Sequence, residues 1–161
     1  MTASNDIVRV GVLGAGAWAQ FAHLPGWKRD PRCTIVAIAD PIVERAREFA
    51  AQFDIPNVYA THEELIARTD IDVVDVCTPS ATHFALSCAA LEAGKHVLCE
   101  KPVAYDFTET RRAAALAASG AKADLDRNQY LLDLTAMLTR HDRLTRGHSE
   151  RVRAYSTLIG E

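Results

Sequence analysis

Three stretches of this chain put reactive residue types at spacings that could do chemistry. The first, GVLGAGAWAQ at positions 11–20, sets Gly14, Gly16 and Ala19 in a GxGxxA pattern between an apolar β-branched run and a helical one. In such a turn Gly14 permits the tight bend, Gly16 lets the backbone approach a pyrophosphate, and Ala19 lets helix and strand pack closely. The helix N-terminus adds free N–H groups and partial positive charge for the phosphates. A strand–turn–helix corner with no ligand is the alternative reading, and Asp40 weighs against it. Asp40 lies 24 residues beyond Gly16, near the roughly 20-residue spacing of the carboxylate that binds the ribose hydroxyls of a dinucleotide. A carboxylate there repels a 2′-phosphate and so points to NAD, while Arg45 and Arg47 on the next helix keep NADP open. Asp40 stands before Pro41 and also fits a helix-capping role. The second stretch, TPSATHFALSCAALEAGKHVLCEKPVA at 78–104, carries Thr78, Pro79, His83, His96, Glu100, Lys101 and Pro102. The third, RHDRLTRGHSERV at 140–152, holds His141, Asp142 and His148 among arginines. Its interleaved acids and lack of an aromatic platform argue against nucleic acid. A metal site needs several convergent ligands, so no metal ligand is assigned there.

The elements that must position these residues alternate. Strands are expected at Ile7–Leu13, Thr34–Ala39, Asn57–Ala60, Val73–Cys77 and His96–Cys99, short apolar runs bounded by turn residues. Helices are expected at Ala17–Trp27, interrupted by Pro25 and Gly26, and at Pro41–Phe53, with Ile42, Ala46, Phe49 and Ala50 on one face. Further helices are expected at His62–Arg68, opened by a Thr61/Glu64 capping box, at Ala81–Ala93, stopped by Gly94, and at Asp106–Ala118. Strands separated by helices imply parallel pairing through right-handed crossovers. Both sheet faces are then covered, which explains strands that are continuously apolar. The expected fold is α/β, a Rossmann-like doubly wound parallel sheet of five strands. Residues 1–120 form that unit; the sixth strand that would complete two mononucleotide-binding halves is missing. Residues 121–161 read as a helical tail, with helices at Asp124–Thr139 and Ser149–Ile159.

Composition bounds the reading. The 161 residues suit one domain, or one with an appendage. A hydrophobic content of 48% and a charged content of 24% are ordinary for a globular protein, and a net charge of −3 gives no basic field for nucleic acid. Cys33, Cys77, Cys88 and Cys99 have no CxxC spacing and read as reduced thiols in a cytoplasmic protein. The opening MTASNDIVRV has no signal-peptide pattern, and no apolar run approaches a membrane span.

The run TPxxxH…ALxAGKHVxxEKP, behind GAGAWA and AIAD, resembles the N-terminal domain of the Gfo/Idh/MocA oxidoreductases over about residues 5–118. The resemblance implies that Gly14, Gly16, Ala17 and Trp18 lie on the dinucleotide and Asp40 on the adenosine ribose. It puts Thr78, Pro79 and His83 near the nicotinamide, and Glu100, Lys101 and Pro102 at the end of the fifth strand. Lys101 then faces nicotinamide and substrate, assisting proton transfer from the hydroxyl of a sugar or polyol; a partly desolvated lysine there can reach a pKa fit for acid–base work. His83 is a second catalytic candidate, or else a capping or packing residue on the first turn of its helix. For His96, strand packing is expected. The family's second domain, which supplies most of the substrate pocket, does not fit in the roughly 40 residues after Gly120. The expectation is therefore a dinucleotide-binding half-enzyme, truncated or fused near that point, with the alternative of a non-catalytic binding or interaction module. The tail resembles the opening of an HD-domain phosphohydrolase of the HD-GYP type. His148 matches the first metal-binding histidine of that pattern, but its later partners are absent. Tail or open sheet edge could also serve a homo-oligomer, since an uncovered apolar edge is a liability.

Overall fold

The computed structural model describes residues 7–120. The expected tail helices and the His141–His148 stretch lie outside the described residues. Five strands, β1 (Val8–Leu13), β2 (Cys33–Ala39), β3 (Asn57–Tyr59), β4 (Val73–Val76) and β5 (His96–Cys99), form one sheet in the order β3-β2-β1-β4-β5. Every neighbouring pair is parallel. This is the doubly wound arrangement expected from alternating apolar runs, with the order reversing between β1 and β4. Val10, Val12, Leu13, Ile38, Val74 and Val76 are fully buried, as strands covered on both faces require.

The helices between the strands are α1 (Leu24–Arg29), α2 (Val43–Phe53), α3 (His62–Ile66), α4 (His83–Glu92) and α5 (Phe107–Gly120). The capping box of α3 forms: the Glu64 N–H donates to the Thr61 hydroxyl at 3.3 Å, and the Glu64 carboxylate accepts from the Thr61 N–H at 3.2 Å. Gly94, at φ +73°, follows the end of α4, where a glycine stop was expected.

Two expectations change in detail. The helix after the glycine turn does not break at Pro25. It runs on to Arg29, and its Ala19–His23 segment is a π-helical turn in which the Leu24 N–H donates to the Ala19 carbonyl, five residues back. Proline lacks an N–H, and its ring crowds the carbonyl four residues earlier; the wider turn just before Pro25 lets the helix continue. Ile42, assigned to the buried face of α2, is 55% exposed. It precedes the first helical residue with φ −91° and ψ 84°, so it falls off the helical period, while Ala46, Phe49 and Ala50 are buried as expected.

Candidate functional site

The parallel register brings three chain segments together at the carboxyl ends of the central strands. Leu13 pairs with Val76 and Val76 with Cys99, so Gly14, Thr78 and Glu100 emerge side by side. This is the topological switch point, where open α/β sheets bind ligands. Gly14 has φ +96°, a left-handed conformation that favours glycine. A Cβ there would also lie 3.0 Å from the carbonyl carbon and oxygen of Cys77. The turn is thus pressed against the end of β4 and tied to β2 by the Gly14 N–H, which donates to the Ala39 carbonyl at 2.8 Å. At Gly16 the situation reverses: a Cβ would meet nothing within 4 Å. The outer side of the turn is therefore an open cradle beside a helix N-terminus whose first N–H groups have no partner within the helix. Ala17 and Trp18 are exposed there, and Ala19 is fully buried where helix meets sheet.

Asp40 directly follows β2 and is 2% exposed. Its Oδ2 accepts the Ala15 N–H at 2.8 Å and its Oδ1 the Ile42 N–H at 2.8 Å, while Arg45 donates to both oxygens at 2.8 and 2.9 Å. Burial pushes this carboxyl up, and the two backbone donors with Arg45 outweigh it, holding the pKa below the ordinary aspartate range. Asp40 thus ties the glycine turn to the residues leading into α2; the N-cap of that helix is Ile42, with no side-chain cap hydrogen bond, so the capping role foreseen for Asp40 gives way to one as the anchor of the turn.

A buried polar cluster not foreseen from sequence lies beneath the turn. His23 presents Nδ1 to the Asp75 carboxylate at 2.9 and 3.0 Å and Nε2 to Glu100 Oε1 at 2.9 Å. Carboxylate oxygens only accept, so both ring nitrogens donate and the ring is an imidazolium. Burial pulls the His23 pKa down, but the Asp75 charge, with hydrogen bonds from Asp75, Cys77 and Glu100, carries it well above the ordinary imidazole range. The Trp27 indole N–H donates to Asp75 at 2.7 Å, and the Trp18 indole N–H donates to Glu100 at 2.6 Å. Burial raises the Glu100 carboxyl, and His23, Trp18 and the Lys101 N–H together bring it below its usual value. His23, Asp75 and Cys77 are close enough to share a cation. The carboxylates already accept N–H donors, however, and burial drives the Cys77 thiol far from ionising, so the donor set is that of a proton-linked network. One signal for this cluster was present in the sequence: Asp75 is an acid inside an otherwise apolar strand, and a buried carboxylate requires a partner.

The residues of the second stretch gather next to this cluster. His83 is 2% exposed, with Nε2 2.7 Å from the Thr78 carbonyl and Nδ1 2.8 Å from the Pro102 carbonyl. It sits between the Thr78-Pro79 turn and the Lys101-Pro102 turn, its nitrogens occupied by backbone. The Thr82 hydroxyl donates to Thr78 Oγ1 at 2.7 Å. Glu100 is half-buried, whereas Lys101 and Pro102 are exposed, so among the described residues nothing supplies the partial desolvation expected for Lys101. His96 is half-buried in β5. Among the described residues no helix is long and apolar enough to cross a membrane, and none of the chain's four cysteines forms a disulfide.

Residues 8–123 match the oxidoreductase family with the NAD-binding Rossmann fold, Gfo/Idh/MocA. The chain is 37% identical over 109 residues to inositol 2-dehydrogenase 4 of Saccharopolyspora erythraea, a match covering 68% of this chain and 32% of that one. It is 36% identical over 115 residues to human trans-1,2-dihydrobenzene-1,2-diol dehydrogenase, covering 71% and 33%. A 3-ketoreductase from Actinomadura kijaniata, solved in complex with NADP, superimposes with a TM-score of 0.69 at 34% identity, over 72% of this chain and 37% of that chain. The chain belongs to the Gfo/Idh/MocA oxidoreductase family and carries its NAD(P)-binding Rossmann domain. It spans about a third of the length of these relatives.

Proposed function

We propose that this chain is the cofactor-holding part of an NAD(P)-dependent oxidoreductase that acts on a hydroxyl group of a sugar or polyol. The observation that carries the reading is the open cradle at Gly16, after β1 at the switch point, two strands from the end of β5 that leads to Lys101. The residues fit the dinucleotide: Gly14, Gly16, Ala17 and Trp18 would hold the pyrophosphate, Asp40 and Arg45 the adenosine ribose, and Thr78 and Pro79 would flank the nicotinamide. When bound, the nicotinamide supplies the acceptor or donor of hydride. Lys101 Nζ takes the proton from the substrate hydroxyl as the carbon is oxidised, and returns it in the reverse direction. Glu100 and Pro102 set the turn that aims this lysine. His83, clamped between two backbone carbonyls, acts as a positioning residue and not as a second acid–base. The relatives named above, dehydrogenases of a diol and of inositol and a 3-ketoreductase, support a hydroxyl–carbonyl interconversion.

Isothermal titration of the chain with NAD and NADP tests the reading. Saturable binding of at least one is expected, and no heat from either at millimolar dinucleotide would sink it. A sharper control is Gly16→Val. The new side chain enters open space, so the unfolding midpoint stays near that of the wild type, while dinucleotide binding is lost because the cradle is filled. Unchanged binding by this variant would remove the cradle from the site.

A further inference from the structure

We propose that His23 is a positioning residue: its ring holds Glu100 between the glycine turn and the Lys101 turn, so that cradle and lysine keep one fixed relation. The inference rests on the reading that the cradle holds a dinucleotide and that Lys101 moves a proton beside it. Asp75 alone does not account for the state of the ring. It lies within β4 and already accepts the Trp27 indole N–H at 2.7 Å. A neutral imidazole has one donor, and that donor on Nδ1 would complete the environment of Asp75. His23 instead gives a second donor, on Nε2, to Glu100 Oε1 at 2.9 Å. The second contact requires a buried positive charge, which is costly unless it is paired. The charge is therefore tied to Glu100 as much as to Asp75.

Glu100 directly follows β5, and its two oxygens face two different segments. Oε1 accepts the Trp18 indole N–H at 2.6 Å as well as His23, and Trp18 stands two residues past Gly16, on the rim of the cradle. Oε2 accepts the Lys101 N–H at 3.2 Å. On the other flank of Lys101, the Pro102 carbonyl lies 2.8 Å from His83 Nδ1. The Lys101 backbone is thus held on both sides, and on one of them a single carboxylate joins it to the cradle rim. That join depends on the charge of His23. Without it, Asp75 and Glu100 would be two carboxylates facing one buried space, where like charges cannot both stay ionised in place. The Asp75 side chain is 0% exposed and that of Glu100 is 21% exposed, so Glu100 is the one that can turn to solvent. In turning it releases the Trp18 indole and the Lys101 N–H together.

Amide hydrogen exchange and ring-proton NMR on the full chain, for wild type, His23→Gln, Glu100→Ala and the double variant, test the proposal. Exchange at the Lys101 amide should be about tenfold faster in each single variant than in the wild type, the scale of one lost hydrogen bond, while the amides of β1 and β4 stay protected. The double variant should be no faster than Glu100→Ala, because both changes cut the same tie. In the wild type both His23 ring N–H protons should be present at neutral pH. Glu100→Ala should shift the Nε2 proton and leave the Nδ1 proton on Asp75, a readout that decides the matter even where His23→Gln fails to fold. With saturating NAD or NADP the Lys101 amide of the wild type should slow further, and Glu100→Ala should lose that slowing. An unchanged Lys101 amide in folded His23→Gln, additive effects in the double variant, or an Nε2 proton indifferent to Glu100→Ala overturns the role of His23 while leaving dinucleotide binding intact. Binding of neither dinucleotide by the wild type overturns both this role and the reading beneath it.

Discussion

Asp75 is an acid with no exposed surface in the middle of a parallel sheet, and His23 is what keeps it there. Replacing His23 by leucine leaves the Asp75 and Glu100 carboxylates facing a hydrophobe, so a loss of about 3–5 kcal/mol is expected from urea unfolding, the range for one-sided removal of a buried partner. Glutamine keeps some hydrogen bonding and should lose less. The pH dependence separates charge from packing. The folded pKa of His23 lies above its ordinary 6.5, so its stabilisation is complete below 6.5 and declines as pH rises toward the folded value. Wild-type stability should therefore fall between pH about 6 and about 9 more steeply than that of His23→Gln; parallel profiles would show that the ring is not charged. Glu100 and Asp40 work in the opposite sense. Both are depressed, so their contribution is present above their ordinary values of 4.5 and 3.8 and is lost as pH falls through the folded ones. The glycine motif was readable because it is local in sequence. The His23 cluster was not, because its bonds join residues 52 and 77 positions apart, and only the strand order brings them together.

At the level of elements, the glycine turn shows how one residue can be required twice over. Gly14→Ala must place a Cβ at a positive φ and against the Cys77 backbone, which cannot rotate away as a side chain could. A destabilisation of about 1–3 kcal/mol, the range for a residue held in a sparsely populated backbone region, is expected by chemical denaturation. A variant as stable as the wild type would mean that the turn is free to shift away from β4. The five strands were legible to within a residue or two because each is a short, mostly apolar run bounded by turn residues. The π-helical turn was not, since Pro25-Gly26 carries the signature of a break and only the wider turn before it accommodates the ring. That turn has a consequence for the site: it contains His23, whose ring direction depends on the local helical winding. Ile42 marks the same limit from the other side, an apolar residue at a plausible period that falls just outside the helix.

On the scale of the molecule, the described residues form the first five strands of a doubly wound sheet, and the match to known relatives covers about a third of their length. Cofactor binding is the property this unit can be tested for by itself. At a free dinucleotide concentration about a hundredfold above Kd, mass action adds about 2.7 kcal/mol to the unfolding free energy. A thermal shift that follows this dependence, and that vanishes in Gly16→Val, would tie binding to the folded domain; a shift independent of dinucleotide concentration would not. The fold class and the cradle were visible in the order of apolar runs and in GxGxxA. The partners of Asp40 were not, because whether an acid faces a ribose or an arginine depends on the first turn of α2, where no spacing rule reaches.

The cluster that holds His23 also has an optical consequence. The chain has two tryptophans, Trp18 and Trp27, and both indole N–H groups donate into that cluster. All tryptophan emission from this protein therefore originates at one place. Trp27, 1% exposed, reports from a dry environment, and Trp18, 42% exposed, from the rim of the cradle. Without any label, the blue-shifted part of the spectrum follows the integrity of the buried ion network. The red part follows events at the glycine turn, where a reduced nicotinamide, absorbing in the same region, would draw energy from Trp18.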